Sequence, residues 1–209
     1  HVHLTQGELP ADTHVIIGGR PMREQVLSCP NLRAVIVPWA GVPDVTQALL
    51  REFPHIAVHN LHHNAAATAE YAIALLMAAA KFIVPVDRRL RLNDWSPRYA
   101  PAQSIGLAGK TALIMGYGQI GQRVGRVCAA LGMTVIATRR NRVEQDAVAK
   151  VYATSDLSTL LPQANVIIIT APLTPETKNL IGEKELARLP RGSILINVGR
   201  GLIVDEAAL

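Results

Sequence analysis

The sequence predicts an α/β fold with a doubly wound parallel sheet, preceded by a smaller and partial α/β unit. Short apolar runs alternate with helical patterns and with Pro, Gly and polar turns, as expected for parallel strands joined by helices. Of the 209 residues, 49% are hydrophobic and 18% are charged, so the chain can bury a sizeable core. Because only 4% are aromatic, Ala, Val, Leu and Ile must fill that core, as in sheets that are covered on both faces.

Residues 1–60 are expected to form the smaller unit. Its three short apolar strands are predicted at 15–19, 32–37 and 55–59. The segment 68–90 that follows is apolar around much of its circumference and has no proline before Pro85, which predicts one long buried helix. The membrane-like stretch 65–86 is interrupted by Glu70 and Lys81, so it falls short of the roughly 20 apolar residues that a membrane span needs.

The most informative segment is the apolar run Thr111–Met115, which leads into a G-x-G-x-x-G pattern and then into a helical pattern. In that pattern the first glycine permits a tight turn, the second lets backbone approach a pyrophosphate, and the third lets helix and strand pack closely. The N-terminus of the helix attracts the anion. A dinucleotide-binding Rossmann domain is therefore expected over 61–209, although a glycine-rich turn of another α/β protein is the alternative. The predicted loop contacts are Gly116, Tyr117, Gly118, Gln119, Ile120 and Gly121.

The second strand of that domain ends in Thr138, Arg139 and Arg140, without a carboxylate. An Asp or Glu about 20 residues after the glycines would bind the ribose of NAD, whereas an Arg accommodates the 2′-phosphate of NADP. Arg139 has this spacing, Arg140 or Arg142 adds charge, and Thr138 offers a hydroxyl. NADP is therefore expected rather than NAD. The alternative is that these arginines only solvate a surface loop.

The remaining elements complete the predicted sheet. A short capped helix is expected at 155–162, strands at 165–171 and 193–197, and a helix with Asp205 as its N-cap near the end. Ligands bind beyond the carboxyl ends of parallel strands. One crevice is therefore expected to be lined by Gly116, Arg139, Ala171, Pro172 and residues 197–200.

Composition disfavours several other classes of protein and site. The formal charge is +5, but the cations are scattered except at 88–91 and 139–142 and have no interleaved aromatic residues, which disfavours nucleic-acid binding. Cys29 and Cys128 are too few for a disulfide framework, and no targeting segment is visible, so a cytoplasmic location is expected. His59, His62 and His63 have no cysteine or carboxylate at ligand spacing, so no metal site is predicted.

Four segments, in this order, resemble the D-2-hydroxyacid dehydrogenases, the family of glyoxylate, hydroxypyruvate and phosphoglycerate dehydrogenases. They are Asn-Ala-Ala-Ala-Thr-Ala-Glu at 64–70, Gly-Lys-Thr at 109–111, Ala-Pro-Leu-Thr-Pro-Glu-Thr at 171–177 and Ile-Asn-Val-Gly-Arg-Gly at 196–201. The resemblance implies that 1–60 is part of a flavodoxin-like substrate domain. It also implies hydride transfer between nicotinamide and a small 2-oxo or 2-hydroxy acid, and a homodimer formed through the cofactor domains.

The resemblance further implies roles for single residues. Arg200 resembles the catalytic arginine that holds the substrate carboxylate and polarises the carbonyl, although a surface arginine on a glycine turn is the alternative. The loop Trp39, Ala40, Gly41 and Val42 resembles the substrate loop, and Trp39 could equally serve packing. The implied cofactor contacts beyond the glycine turn are Thr68, Ala171, Pro172, Thr177, Asn197, Val198 and Gly199.

The sequence departs from the family at one point. Family members protonate the carbonyl with a histidine that a glutamate orients, both after the arginine segment, whereas no histidine follows His63 here. A positioned acid contributes roughly 10²- to 10⁴-fold in rate, so residues 1–209 alone are expected to be nearly inactive and part of a longer enzyme. A non-catalytic dinucleotide-sensing protein remains an alternative, as does a formate or phosphite dehydrogenase.

Overall fold

The computed structural model describes residues 7–101, 103–140 and 147–209. The chain divides into two compact units, His1–Asn64 and Ala65–Leu209. The first unit has a three-stranded parallel sheet in the order β1-β2-β3. Its elements are β1 (Val15–Ile17), α1 (Arg23–Leu27), β2 (Ala34–Val37), α2 (Asp44–Arg51) and β3 (Ala57–Asn60). The middle strand β2 supplies two fully buried side chains, Val35 and Val37, because it pairs on both edges.

The second unit has a five-stranded parallel sheet in the order β6-β5-β4-β7-β8. Its strands are β4 (Thr111–Met115), β5 (Thr134–Arg139), β6 (Lys150–Ala153), β7 (Val166–Ile169) and β8 (Ile194–Asn197). Its helices are α3 (Ala65–Ala80), α4 (Ile83–Leu90), α5 (Gln119–Ala130), α6 (Leu157–Leu160) and α7 (Glu183–Leu186). In chain order, the first strand of this sheet is the central strand β4, and β5 and β6 are added on one side of it. The chain then crosses over, and β7 and β8 are added on the other side. This order confirms the predicted doubly wound sheet and places its switch point between β4 and β7.

Side chains of β4 alternate between two apolar layers, one on each face of the sheet. Ala112 and Ile114 pack in the layer that contains α3 and α5, whereas Leu113 and Met115 pack in the layer that contains α6. All four are at most 1% exposed. Burial on both faces explains why the strand is a continuous apolar run rather than an alternating one.

The prediction of one long helix over 68–90 is wrong. Helix α3 ends at Ala80, Phe82 takes a left-handed conformation with φ 58°, and α4 begins at Ile83. A continuous helix would press the Pro85 ring against the carbonyl of residue 81 and leave that carbonyl without its N–H partner. Helix α3 buries one face, whereas α4 has no buried residue, so the predicted burial holds for α3 alone.

The same two helices are the part of the chain closest to a membrane span in composition. Among the described residues, no single helix is long and apolar enough to cross a membrane. Taken together, α3 and α4 have the length and the apolar composition of a membrane-spanning segment, but the two helices are bent by 65° at the break between them.

Two capping predictions need correction. Asp205 does cap, accepting a hydrogen bond from the Ala207 N–H at 3.1 Å, but the element is a short 3-10 turn rather than an α-helix. Helix α6 begins at Leu157 without any side-chain cap, because Asp156 belongs to a 3-10 turn that runs directly into it. In both places the backbone turns too tightly for the α-helical start that the sequence predicts.

Both cysteines are free and buried. Cys128 lies on the buried face of α5, and desolvation raises the pKa of its thiol to about 11. The thiol is therefore neutral at physiological pH and acts as a small packing group, as the helical pattern around it predicts.

Candidate functional site

The turn between β4 and α5 is built so that its first position accepts only glycine. Gly116 has φ +95°, and a Cβ at this position would lie 2.6 Å from the Ala171 Cα. The N–H groups of Gly116 and Tyr117 both donate to the Thr138 carbonyl at 3.0 Å. The turn is therefore held between the carboxyl ends of β5 and β7, at the switch point of the sheet.

The other two glycines of the motif differ from each other in their surroundings. A Cβ at Gly118, the N-cap of α5, would meet no atom within 4 Å, so the space before the helix is open. A Cβ at Gly121 would overlap the Gly116 carbonyl oxygen, which also accepts a hydrogen bond from the Thr170 hydroxyl at 2.6 Å. The first turn of α5 has no earlier helical carbonyls for its N–H groups, including those of Gln119 and Ile120. An open space before a helix N-terminus suits a pyrophosphate.

Two of the predicted cofactor contacts, Tyr117 and Thr138, also support this turn. The Tyr117 side chain is only 2% exposed, and its ring lies so close to Gly125 that a Cβ there would be 3.1 Å away. Thr138 is also 2% exposed, and its carbonyl anchors the turn. Both residues therefore pack beneath the turn and support it, and their contacts with the cofactor stay a prediction.

Two arginines place positive charge at the end of β5, beside the turn. Arg139 is the last residue of that strand, Arg140 follows it, and both are exposed. The third predicted arginine, Arg142, lies outside the described residues. The two described guanidinium groups are thus available to a phosphate at the carboxyl edge of the sheet.

A carboxylate near these arginines was not predicted. A hydrogen bond from Thr174 holds the pKa of the Glu176 carboxyl below its usual value, and the charge of Arg140 lowers it further. Arg140 and Glu176 therefore interact, although one follows β5 and the other follows β7. The segment Ala-Pro-Leu-Thr-Pro-Glu-Thr at 171–177 was singled out, but sequence spacing alone does not indicate which charge Glu176 faces.

The loop after β7 has a defined shape. The Thr177 hydroxyl donates to the Pro172 carbonyl at 2.8 Å and accepts from the Thr174 N–H at 2.7 Å. Ala171 is buried against the glycine turn, and Pro172 is exposed beside it. Thr177 therefore shapes the loop internally, while Pro172 offers an apolar surface at the crevice.

The predicted catalytic arginine lies on a second glycine turn, directly after β8. A Cβ at Gly199 would lie 2.6 Å from the Ala171 carbonyl oxygen, which packs this turn against the loop after β7. Val198 is half-buried and donates its N–H to the Ile169 carbonyl at 3.0 Å. Arg200 is exposed, and its Nη1 donates to the Gly199 carbonyl at 3.0 Å. A permanently charged group thus stands at the same edge of the sheet as the glycine turn after β4.

The predicted substrate loop lies in the first unit, where the strands β2 and β3 end. The Asn60 amide donates to the Ala40 carbonyl at 2.6 Å, and the Leu61 N–H donates to the Trp39 carbonyl at 3.3 Å. The Trp39 ring covers Gly19 so closely that no Cβ fits there, yet Trp39 remains 44% exposed. Trp39 therefore packs on Gly19 and still leaves part of its side chain exposed. Gly41 and Val42, which follow in the same loop, are half-buried.

The remaining residues that the sequence singles out lie on other elements. Thr68 is half-buried in the first turn of α3. His59, His62 and His63 are exposed at and after the end of β3. Among the described residues, no group of three or more His, Cys, Asp or Glu side chains could hold a metal ion.

Comparisons with known proteins agree with this geometry. The model of the D-isomer-specific 2-hydroxyacid dehydrogenase NAD-binding domain matches residues 73–209. The chain is 36% identical over 195 residues to glycerate dehydrogenase of Methylorubrum extorquens, covering 90% of this chain and 59% of that protein. It is 39% identical over 151 residues to glyoxylate reductase of Aeropyrum pernix, which covers 68% of this chain and 44% of that protein.

A similar solved structure is the glyoxylate reductase from Paecilomyes thermophila, with a TM-score of 0.78 and 28% identity over 95% of this chain and 62% of that chain. The chain spans about half the length of the curated relatives it matches. The family model covers well over half of the chain, in the unit that carries both glycine turns. This chain therefore belongs to the D-isomer-specific 2-hydroxyacid dehydrogenase family.

Proposed function

We propose that the protein reduces a small 2-oxo acid with a nicotinamide dinucleotide, and that it uses NADPH in preference to NADH. The observation that carries this proposal is the meeting of three features at one edge of the sheet. These are the glycine turn after β4, the arginines that end β5, and the Arg200 turn after β8. Relatives named glycerate dehydrogenase and glyoxylate reductase support the substrate class.

In this proposal each part of the site has a separate task. The open space at Gly118 and the first turn of α5 hold the pyrophosphate, and the bound cofactor supplies the hydride. The Arg200 guanidinium holds the substrate carboxylate and polarises the 2-carbonyl as negative charge develops on its oxygen. The proton donor is a separate group, which the family resemblance assigns to a histidine, and this sequence contains none after His63.

The proposal is tested by titrating the intact protein with NADPH and with NADH, and then adding glyoxylate or hydroxypyruvate. We expect both cofactors to bind, and NADPH to be oxidised faster once a 2-oxo acid is present. Tight binding without turnover on any 2-oxo acid would instead support a dinucleotide-sensing protein. Turnover of formate or phosphite, with no reduction of 2-oxo acids, would support the other alternative.

The preference for NADPH is assigned to the end of β5. Arg139→Ala is expected to weaken NADPH binding about 10- to 100-fold, because a hydrogen bond to a charged group contributes roughly 1.5–3 kcal/mol. Binding of NADH, which lacks the 2′-phosphate, is expected to change less than about twofold. Fluorescence titration of both cofactors measures this difference. Arg191→Ala, an exposed arginine before β8, is the matched control, and equal losses for both cofactors would contradict the assignment.

We also propose that the protein forms a homodimer through the face of α3 and α5. An open groove of about 530 Å³ lies between these helices. Its lining residues are Ala66, Ala69, Glu70, Ile73, Ala74, Arg123, Arg126 and Val127. Small apolar side chains let a second helix approach closely, and the face carries both a carboxylate and guanidinium groups. Such a face is complementary to itself across a two-fold axis.

Val127→Glu is expected to shift the protein from dimer to monomer, because each interface would then have to desolvate two added carboxylates in place of two apolar side chains. Sedimentation velocity over a micromolar concentration range measures the shift, and we expect the dimer dissociation constant to rise at least about tenfold. Leu27→Glu, on the exposed side of α1 in the first unit, is the control. A wild-type protein that sediments as a monomer throughout this range would contradict the proposal.

A further inference from the structure

The side chain of Asn197 is engaged on both sides within the turn that carries Arg200. Its Oδ1 accepts a hydrogen bond from the Gly199 N–H at 3.0 Å, and its Nδ2 donates to the Arg200 carbonyl at 2.9 Å. The first bond closes an Asx turn over Val198, and the second reaches one residue further. One amide group therefore bridges the end of β8 to the backbone of Arg200.

This bridge completes a set of restraints on the Arg200 backbone. Before the arginine, the Val198 N–H is bonded to β7 through the Ile169 carbonyl at 3.0 Å. After it, the Ile203 N–H donates to the Arg200 carbonyl at 3.1 Å, and the Ile203 side chain is fully buried. Gly199, between these anchors, has no Cβ and lies against the Ala171 carbonyl. Without the Asn197 amide, the side-chain hydrogen bond that remains between the two anchors among the described residues is that of Arg200 itself, from Nη1 to the Gly199 carbonyl at 3.0 Å.

We infer that Asn197 is a positioning residue that sets the place of the Arg200 guanidinium, rather than a direct contact of the cofactor. This inference rests on the proposed function, in which Arg200 binds the substrate carboxylate. A displacement of about 1 Å in a reacting group can cost on the order of 100-fold in rate. In this role the amide affects kcat/KM through Arg200 and not through its own contact with the substrate.

The sharpest test is Asn197→Asp, which keeps size and shape. The carboxylate still accepts from the Gly199 N–H, but it has no hydrogen to donate and its second oxygen faces the Arg200 carbonyl. We expect kcat/KM for glyoxylate to fall about 10- to 100-fold, mainly through KM, while the dissociation constant for NADPH stays within about twofold. The control is Asn165→Asp, at the opposite end of the sheet, where the Asn165 oxygen only accepts from the Thr111 N–H at 3.0 Å.

The same change in an Arg200→Ala background separates this inference from the proposed function. If Asn197 acts through Arg200, Asn197→Asp adds no further loss once the guanidinium is gone. An equal loss in both backgrounds, or weaker NADPH binding by Asn197→Asp alone, would overturn the positioning role. If Arg200→Ala itself leaves kcat/KM for glyoxylate unchanged, the role that the proposed function gives to Arg200 fails instead. Thermal unfolding of each variant identifies losses that come from a damaged fold.

Discussion

Gly118→Ala is expected to abolish tight cofactor binding while leaving the fold intact. Gly118 has φ −96° and ψ −154°, an extended conformation that any residue adopts, and its Cβ would meet no protein atom within 4 Å. The new methyl group would instead occupy the open space before α5, where the proposed pyrophosphate approaches the backbone. We expect the dissociation constant for NADPH to rise about 100-fold, which corresponds to about 2.7 kcal/mol. Fluorescence titration and thermal unfolding of the same preparation measure the two effects.

Two other glycines serve as controls for this prediction. Gly106→Ala adds a methyl group in equally open space away from the turn, and it should change neither binding nor stability. Gly121→Ala should instead destabilise the fold by roughly 1–3 kcal/mol, because its Cβ would overlap the Gly116 carbonyl oxygen. If Gly118→Ala binds NADPH as tightly as the wild type, the pyrophosphate is held elsewhere.

Arg200→Ala is expected to lower kcat/KM for a 2-oxo acid by roughly 10²- to 10³-fold, the usual cost of losing one group that stabilises developing charge. Arg200 is exposed, and apart from its own bond to the Gly199 carbonyl the hydrogen bonds of its turn come from backbone groups and from Asn197. Removing the guanidinium should therefore leave the unfolding temperature and the dissociation constant for NADPH nearly unchanged. Steady-state kinetics with glyoxylate and with hydroxypyruvate measure the loss.

A lysine at this position should not restore the activity. Arg200→Lys keeps the positive charge but loses the planar fork that binds a carboxylate through two parallel hydrogen bonds. Arg191→Ala removes an exposed arginine near the other end of β8 and serves as the control. Full activity of Arg200→Ala would show that the substrate carboxylate is bound by another group.

Several elements could be predicted because the decisive interactions are local. Strand β4 has the predicted bounds, since its apolar run stops at Gly116, where only glycine accepts the turn. Strand β6 was not predicted, because its four residues mix polar and apolar types; among the described strands it pairs with β5 alone, at the edge of the sheet. The break at Phe82 was missed because the proline that causes it stands three residues later, inside an otherwise helical pattern.

In the candidate site, too, local sequence patterns predicted some features and missed others. The arginines that end β5 and the Arg200 turn were predicted from spacing and from resemblance. The burial of Tyr117 and Thr138 beneath the turn was not, and neither was the interaction of Arg140 with Glu176. These features depend on which strands neighbour β4, and a linear pattern does not contain that order.

By itself the sequence determined the fold class, the family and the position of both glycine turns, because each depends on residue types within a few positions of one another. Only the tertiary structure decided which groups face the open space and which support it. Parallel strands bring together loops that are far apart in sequence, such as Ala171 with Gly116 and with Gly199. The part played by Asn197 follows from that packing, since its amide bonds are defined only once the turn is folded against β7.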